Sequence, residues 1–170
     1  MDLKNHGRPL GFVDLWSWLF PLTYLIHVAE EYWGGEGYPA YILRVRGVHL
    51  STTRFLVAQT LGTVLMAAGV ILARRLNFPH LMVIIMASIV LVNGLTHTAT
   101  SLTNGSYGPG VLSSALIWIP LSIVSLILFK KDVSTKRYLI GVAIGLGVNV
   151  LVFIITMRGA RLVWLCKANC

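Results

Sequence analysis

Five apolar stretches, near residues 11–33, 55–73, 81–101, 111–129 and 138–157, take up most of this chain. Each approaches the roughly 20 residues that a helix needs to cross a bilayer. Polar or basic residues bound them, among them Arg54, Arg74 and Arg75, Lys130 and Lys131, and Lys136 and Arg137. The expected fold is an all-α integral membrane protein, a bundle of about five transmembrane helices forming one domain over residues 1–170. No linker, low-complexity tract or internal repeat interrupts it.

A chain that is 56% hydrophobic and only 12% charged cannot cover a soluble domain with a solvated surface. Its net charge of +8 sits at span ends rather than in one continuous patch, which suits anionic headgroups and argues against nucleic acid as a partner. Lys4 and Arg8 before the first stretch resemble the start of a signal peptide. That stretch is long, lacks a small-residue cleavage site and carries acidic residues, so it is read as a retained span. Residues 34–53 are too short and too basic, at Arg44 and Arg46, to cross. They are expected at the interface, with Trp33, Tyr38 and Tyr41 at headgroup level. Five spans put the termini on opposite sides. Basic residues divide almost evenly between the two, with a small excess that favours a cytoplasmic N-terminus.

The first span contains "HVAEE", placing His27, Glu30 and Glu31 on about one helical turn of a chain whose only other glutamate is Glu36. A charge near the bilayer centre costs roughly 2.5–3.5 kcal/mol on insertion scales, so something must offset it. Asn93 and His97 fall in the last third of span 3, which runs in the same direction as span 1. At 1.5 Å per residue, His27 and His97 each lie about 24 Å along their spans, so the two clusters share a depth. The loop "TNGSYGPG" starts on that side too, as does the connection carrying His49 and Glu36. A Glu/His pair at i, i+3 facing a histidine on a neighbouring helix is how bundles build internal metal sites, and these donors suit zinc, iron or manganese. His27, Glu30 and His97 are accordingly expected as ligands of a divalent metal, zinc first. Glu31 is expected to move protons, and Asn93 to steady a developing oxyanion. The competing reading places the glutamates at headgroup level and Asn93 and Asn149 as interhelical hydrogen-bond donors. Gly62, Gly69, Gly141 and Gly145 read as packing positions. His80, at the start of span 3, belongs to the opposite interface, and His6 lies in the tail.

No P-loop, dinucleotide fingerprint, G-x-S-x-G or H-E-x-x-H motif occurs. Cys166 and Cys170 have no second pair with which to hold zinc, and their redox state stays open.

"HVAEE" fits H-x-x-E-E, "NGLTH" at 93–97 fits N-x-x-x-H, and "YGPG" at 107–110 fits Y-x-P-G, in that order. This combination resembles the HXXEE family of small bacterial and archaeal integral membrane proteins. The resemblance implies a membrane enzyme whose site comprises His27, Glu30, Glu31, Asn93, His97, Tyr107, Pro109 and Gly110, and it leaves the substrate unassigned. The chemistry expected first is metal-dependent hydrolysis of an amphiphilic peptide or lipid-like substrate in a cell membrane. A metal-independent His/Glu isomerase or epimerase and a metal or proton carrier are the alternatives, and assembly into a homo-oligomer is left open.

Overall fold

A computed structural model describes residues 11–168, with side chains described for residues 11–155. The readings of Lys4, His6, Arg8, Cys166 and Cys170 lie outside these descriptions. Among the described residues every regular element is a helix. Five are long and apolar enough to cross a membrane: Phe12–Trp33, Thr52–Arg75, Pro79–Thr103, Val111–Lys130 and Thr135–Ile155, taken here as spans 1 to 5. Helices are the natural outcome, because a bilayer offers no water to backbone N–H and C=O groups and each segment must satisfy its own. The chain is an all-α, multi-pass membrane protein.

Two spans are interrupted, each close to a proline. Span 1 consists of α1 (Phe12–Ser17) and α2 (Leu19–Trp33), joined at Trp18, whose N–H bonds the carbonyl three residues back at Leu15. Pro21 has no N–H, and its ring excludes the carbonyl of Ser17, so the helix cannot run straight through. Span 4 begins as α6 (Val111–Ser113), widens into a π-helical turn at Ser114–Trp118 and continues as α7 (Ile119–Lys130). Here Pro120 excludes the carbonyl of Leu116, and the wider turn absorbs the conflict. Spans 2 and 3 are the unbroken helices α4 (Thr52–Arg75) and α5 (Pro79–Thr103), and span 5 lies within α8 (Thr135–Ala168). The connection after span 1 is more ordered than an interfacial loop: Pro39 opens α3 (Tyr38–Arg46), and Arg44 and Arg46 fill its last turn, where the helix dipole favours cations.

Span 3 runs through the middle and packs against all four others. Phe20, Val83, Ile84, Ala87, Val90, Trp118 and Phe129 form the core around it. Val57, Leu61, Val64 and Leu65 on span 2, Leu116 and Ile127 on span 4, and Val150 to Ile155 on span 5 are exposed, giving the bundle an outer surface suited to acyl chains.

Span 5 docks on span 3 through small residues, as read from the sequence. A Cβ on Gly145 would lie 2.5 Å from Ser88 Cβ and 2.8 Å from the Ile85 carbonyl oxygen, so only glycine allows this approach. One turn on, Asn149 Nδ2 donates across the interface to the Ile89 carbonyl at 3.3 Å. Gly145→Leu is therefore expected to lower stability by about 1–3 kcal/mol, the usual cost of overpacking. Gly147→Leu, where a Cβ would meet nothing within 4 Å, should be tolerated. Thermal unfolding of the two variants in detergent checks the difference.

Candidate metal centre

The 3.6-residue repeat of α2 stacks His27 and Glu31 one turn apart on its inner face, while α5 brings His97 to the same depth. His27 and Glu31 are 1% and 3% exposed, so their polar atoms must be satisfied by the protein or by something bound to it.

The outer nitrogens decide what the inner ones present. His97 Nδ1 lies 3.1 Å from the Pro109 carbonyl oxygen, which can only accept, so Nδ1 carries a proton and the neutral ring presents a lone pair at Nε2. His27 Nδ1 is 2.8 Å from Ser113 Oγ, whose own proton is directed to the Gly110 carbonyl oxygen at 3.3 Å. Again Nδ1 donates, and His27 Nε2 is left buried without a hydrogen-bond partner. Both Nε2 atoms face one oxygen, Glu31 Oε1, at 3.6 Å from His27 and 3.3 Å from His97. A charge-assisted N–H···O⁻ bond measures about 2.7–2.9 Å, and both separations exceed that. Donor atoms about 2.1 Å from a tetrahedral ion stand about 3.4 Å apart, close to both separations. The three donor atoms all lie within 4.8 Å of one another, and among the described residues this is the group of His, Cys, Asp and Glu that could hold a metal ion. The residues fit the group that the sequence suggests.

Aromatic rings wall the centre. Trp118 stacks on His27 with centroids 3.7 Å apart and on Tyr24 at 5.8 Å. The two imidazoles meet edge to face at 4.8 Å. Tyr38, at the start of α3, lies 5.7 Å from the His97 ring and is backed by Phe55. Burial and the nearby Glu31 carboxylate push the Tyr38 hydroxyl up to about 12, so it keeps its proton at neutral pH. The second oxygen of Glu31 accepts from Gln59 Nε2, and Gln59 Oε1 accepts from the Tyr24 hydroxyl.

Glu30 faces another way. Its Oε1 accepts from Tyr107 OH and from the Leu112 N–H, each at 2.8 Å, and its Oε2 accepts from the Ser113 N–H at 2.7 Å. It thus satisfies the free N–H groups at the start of span 4 and brings negative charge to the positive end of that helix. The reading of Glu30 as ligand and Glu31 as free proton carrier differs from this placement. Counting from His27, i+3 and i+4 diverge to opposite sides of the stripe, and only Glu31 turns toward span 3. Tyr107 is partly exposed and bound to Glu30, and burial together with that carboxylate raises its hydroxyl to about 12.

The loop after span 3 is built around the same residues. Pro109 supplies the carbonyl that holds His97, and Gly110 passes directly against His27. Asn93 is half-buried one turn before His97 and lies outside the group of three that could hold a metal ion. Glu36 pairs with Arg44 at 2.6 Å, His49 is exposed, and His80 packs near Phe129, so these three lie outside the centre. Sequence reasoning missed Tyr24, Gln59, Ser113 and Trp118 and placed Tyr38 at headgroup level. Gln59 did leave a signal: it is the one side-chain amide in span 2, where a buried polar group demands a partner.

A family model described as "Protein of unknown function with HXXEE motif" matches residues 18–125, a stretch that contains every residue of the centre. Neither a curated protein nor a solved structure matches the chain.

Proposed function

We propose that this chain, which belongs to the family of proteins of unknown function with an HXXEE motif, is a membrane-embedded, metal-dependent hydrolase acting on an amphiphilic peptide or lipid-like substrate. One observation carries the reading: the Nε2 atoms of two buried imidazoles converge on one carboxylate oxygen at 3.3 and 3.6 Å, longer than charge-assisted hydrogen bonds. With both rings neutral, the three acceptors repel; around a dication they attract.

His27, Glu31 and His97 would hold the ion, and a set of two histidines and one glutamate leaves a fourth position for water or substrate, as catalytic zinc sites do. When bound, zinc supplies Lewis acidity toward a carbonyl and a nucleophilic water at neutral pH. The chain's own groups supply the rest. Tyr38, protonated and with its ring beside that of His97, would donate to an oxygen on which charge develops, the role expected from the sequence of Asn93. Trp118 and Tyr38 exclude water from two sides, and Glu30 fixes the start of span 4, from which Ser113 orients His27. The site lies near the ends of spans 1 and 3 and the start of span 4, beside the basic helix α3, and would be within reach of a carbonyl near an amphiphile's headgroup. With the N-terminus cytoplasmic, it faces the outside of a bacterial or archaeal cell.

Elemental analysis of protein purified without chelators tests the reading. Wild type is expected to carry about one zinc per chain, and His27→Ala and His97→Ala almost none. Zinc-free wild type would remove the metal and leave a His/Glu proton-transfer reaction. Zinc or proton flux across reconstituted vesicles, lost in Glu31→Gln, would make the protein a carrier instead.

A further inference from the structure

The metal reading leaves one oxygen of Glu31 unexplained, and that oxygen leads out of span 1. Gln59 reaches it from span 2, and the same amide accepts from Tyr24, which lies two turns before Glu31 on span 1. The order of donors is forced. An ionised carboxylate only accepts, so Gln59 must turn its NH2 toward Glu31, leaving its carbonyl oxygen for the one group nearby that can donate, the tyrosine hydroxyl. Each bond fixes the sense of the next. Space for the tyrosine comes from Gly62, one turn after Gln59: a Cβ there would lie 2.5 Å from the Tyr24 hydroxyl oxygen. The Tyr24 ring packs on Trp118, and Trp118 on His27, so the path that begins at one donor residue closes on another.

We infer that Gln59, oriented by Tyr24, is a positioning residue that turns Glu31 Oε1 toward the two imidazoles, and that span 2 thereby sets the affinity of the centre for its metal. The inference rests on the metal reading above. A carboxylate held at one oxygen cannot rotate about its terminal bond, so the other oxygen stays aimed. Groups that orient ligands in this way typically hold 10–100-fold of metal affinity. A purely structural alternative exists, because an amide between two transmembrane helices also holds them together. The two roles differ in what they do to the ion.

The test uses the full chain in detergent, with zinc titrated against a competing chelator and cobalt(II) as the spectroscopic probe. Gln59→Leu is expected to weaken zinc by about 10–100-fold and to change the visible cobalt spectrum. Tyr24→Phe removes one hydroxyl with its ring packing kept, and should cause a smaller loss with a spectral change of the same kind. Added to Gln59→Leu, it should cause no further loss, since it acts through the amide. Gln59→Glu, which sets a second carboxylate against the first, should not restore affinity. Wild-type affinity and spectrum in both Gln59→Leu and Tyr24→Phe, whatever happens to the melting temperature, would overturn the inference and leave Gln59 as interhelical glue. Wild type that binds no zinc would overturn the metal reading and this inference together, which separates the two failures.

Discussion

Glu31→Gln is expected to strip the protein of stoichiometric zinc, whereas Glu30→Gln is expected to leave it bound. Glu31 Oε1 stands 3.3 Å from His97 Nε2 and 3.6 Å from His27 Nε2, and it is the only charged donor of the three. An amide in its place has no charge to offset that of the ion. The loss should therefore exceed the roughly 10–100-fold that orienting groups contribute. Glu30 spends both oxygens on Tyr107 and on the N–H groups of Leu112 and Ser113. Its glutamine variant keeps one acceptor there and loses the charge–dipole attraction, worth about 0.3–1 kcal/mol at a helix end. A lower melting temperature with zinc retained is the expected signature. Metal analysis and thermal unfolding on the two variants check it, and the opposite pattern would return Glu30 to the role of ligand.

That pair shows where sequence reading stopped. The depth of His27 and His97 was legible because bilayer thickness fixes span length and odd-numbered spans run the same way, so counting residues from the two span starts placed both histidines together. The choice between Glu30 and Glu31 was not. A 3.6-residue repeat sends i+3 and i+4 to either side of i, and only the neighbour waiting on each side decides which one points inward. On one side stands the free N-terminus of span 4, on the other His97, and no spacing within "HVAEE" records that. Gln59 was hidden for a related reason: its polarity was visible, but the rotation of span 2 against span 1 was not. That the loop "TNGSYGPG" starts on the side of the two clusters was legible, while the use of the Pro109 carbonyl to set the tautomer of His97 came only from the packed loop.

Gly110→Ala is the backbone change expected to damage the centre most. Gly110 sits at φ 88°, a conformation that costs an L-residue about 1–2 kcal/mol. The strain is the smaller part of the effect. A Cβ there would lie 2.7 Å from His27 Cε1, 3.1 Å from Glu31 Cγ and 3.2 Å from His27 Nε2, inside the contact distance of two metal-facing residues at once. The loop has no easy retreat. Its Pro109 carbonyl holds His97, and its Gly110 carbonyl receives both Ser113 Oγ and the Ser114 N–H that starts span 4. Either the loop releases His97 or His27 leaves the stack on Trp118, and each route dismantles the donor set. Gly105→Ala separates strain from collision, because Gly105 is also left-handed, at φ 57°, but a Cβ there would meet nothing within 4 Å. Gly105→Ala should therefore lose about 1 kcal/mol of stability and keep its zinc, by the same left-handed penalty. Gly110→Ala should lose zinc binding by at least the 10–100-fold seen when ligands are no longer held in place. Equal zinc affinity in the two alanine variants would mean that the loop yields without moving either histidine, and that the close approach of Gly110 is not what keeps their lone pairs turned inward.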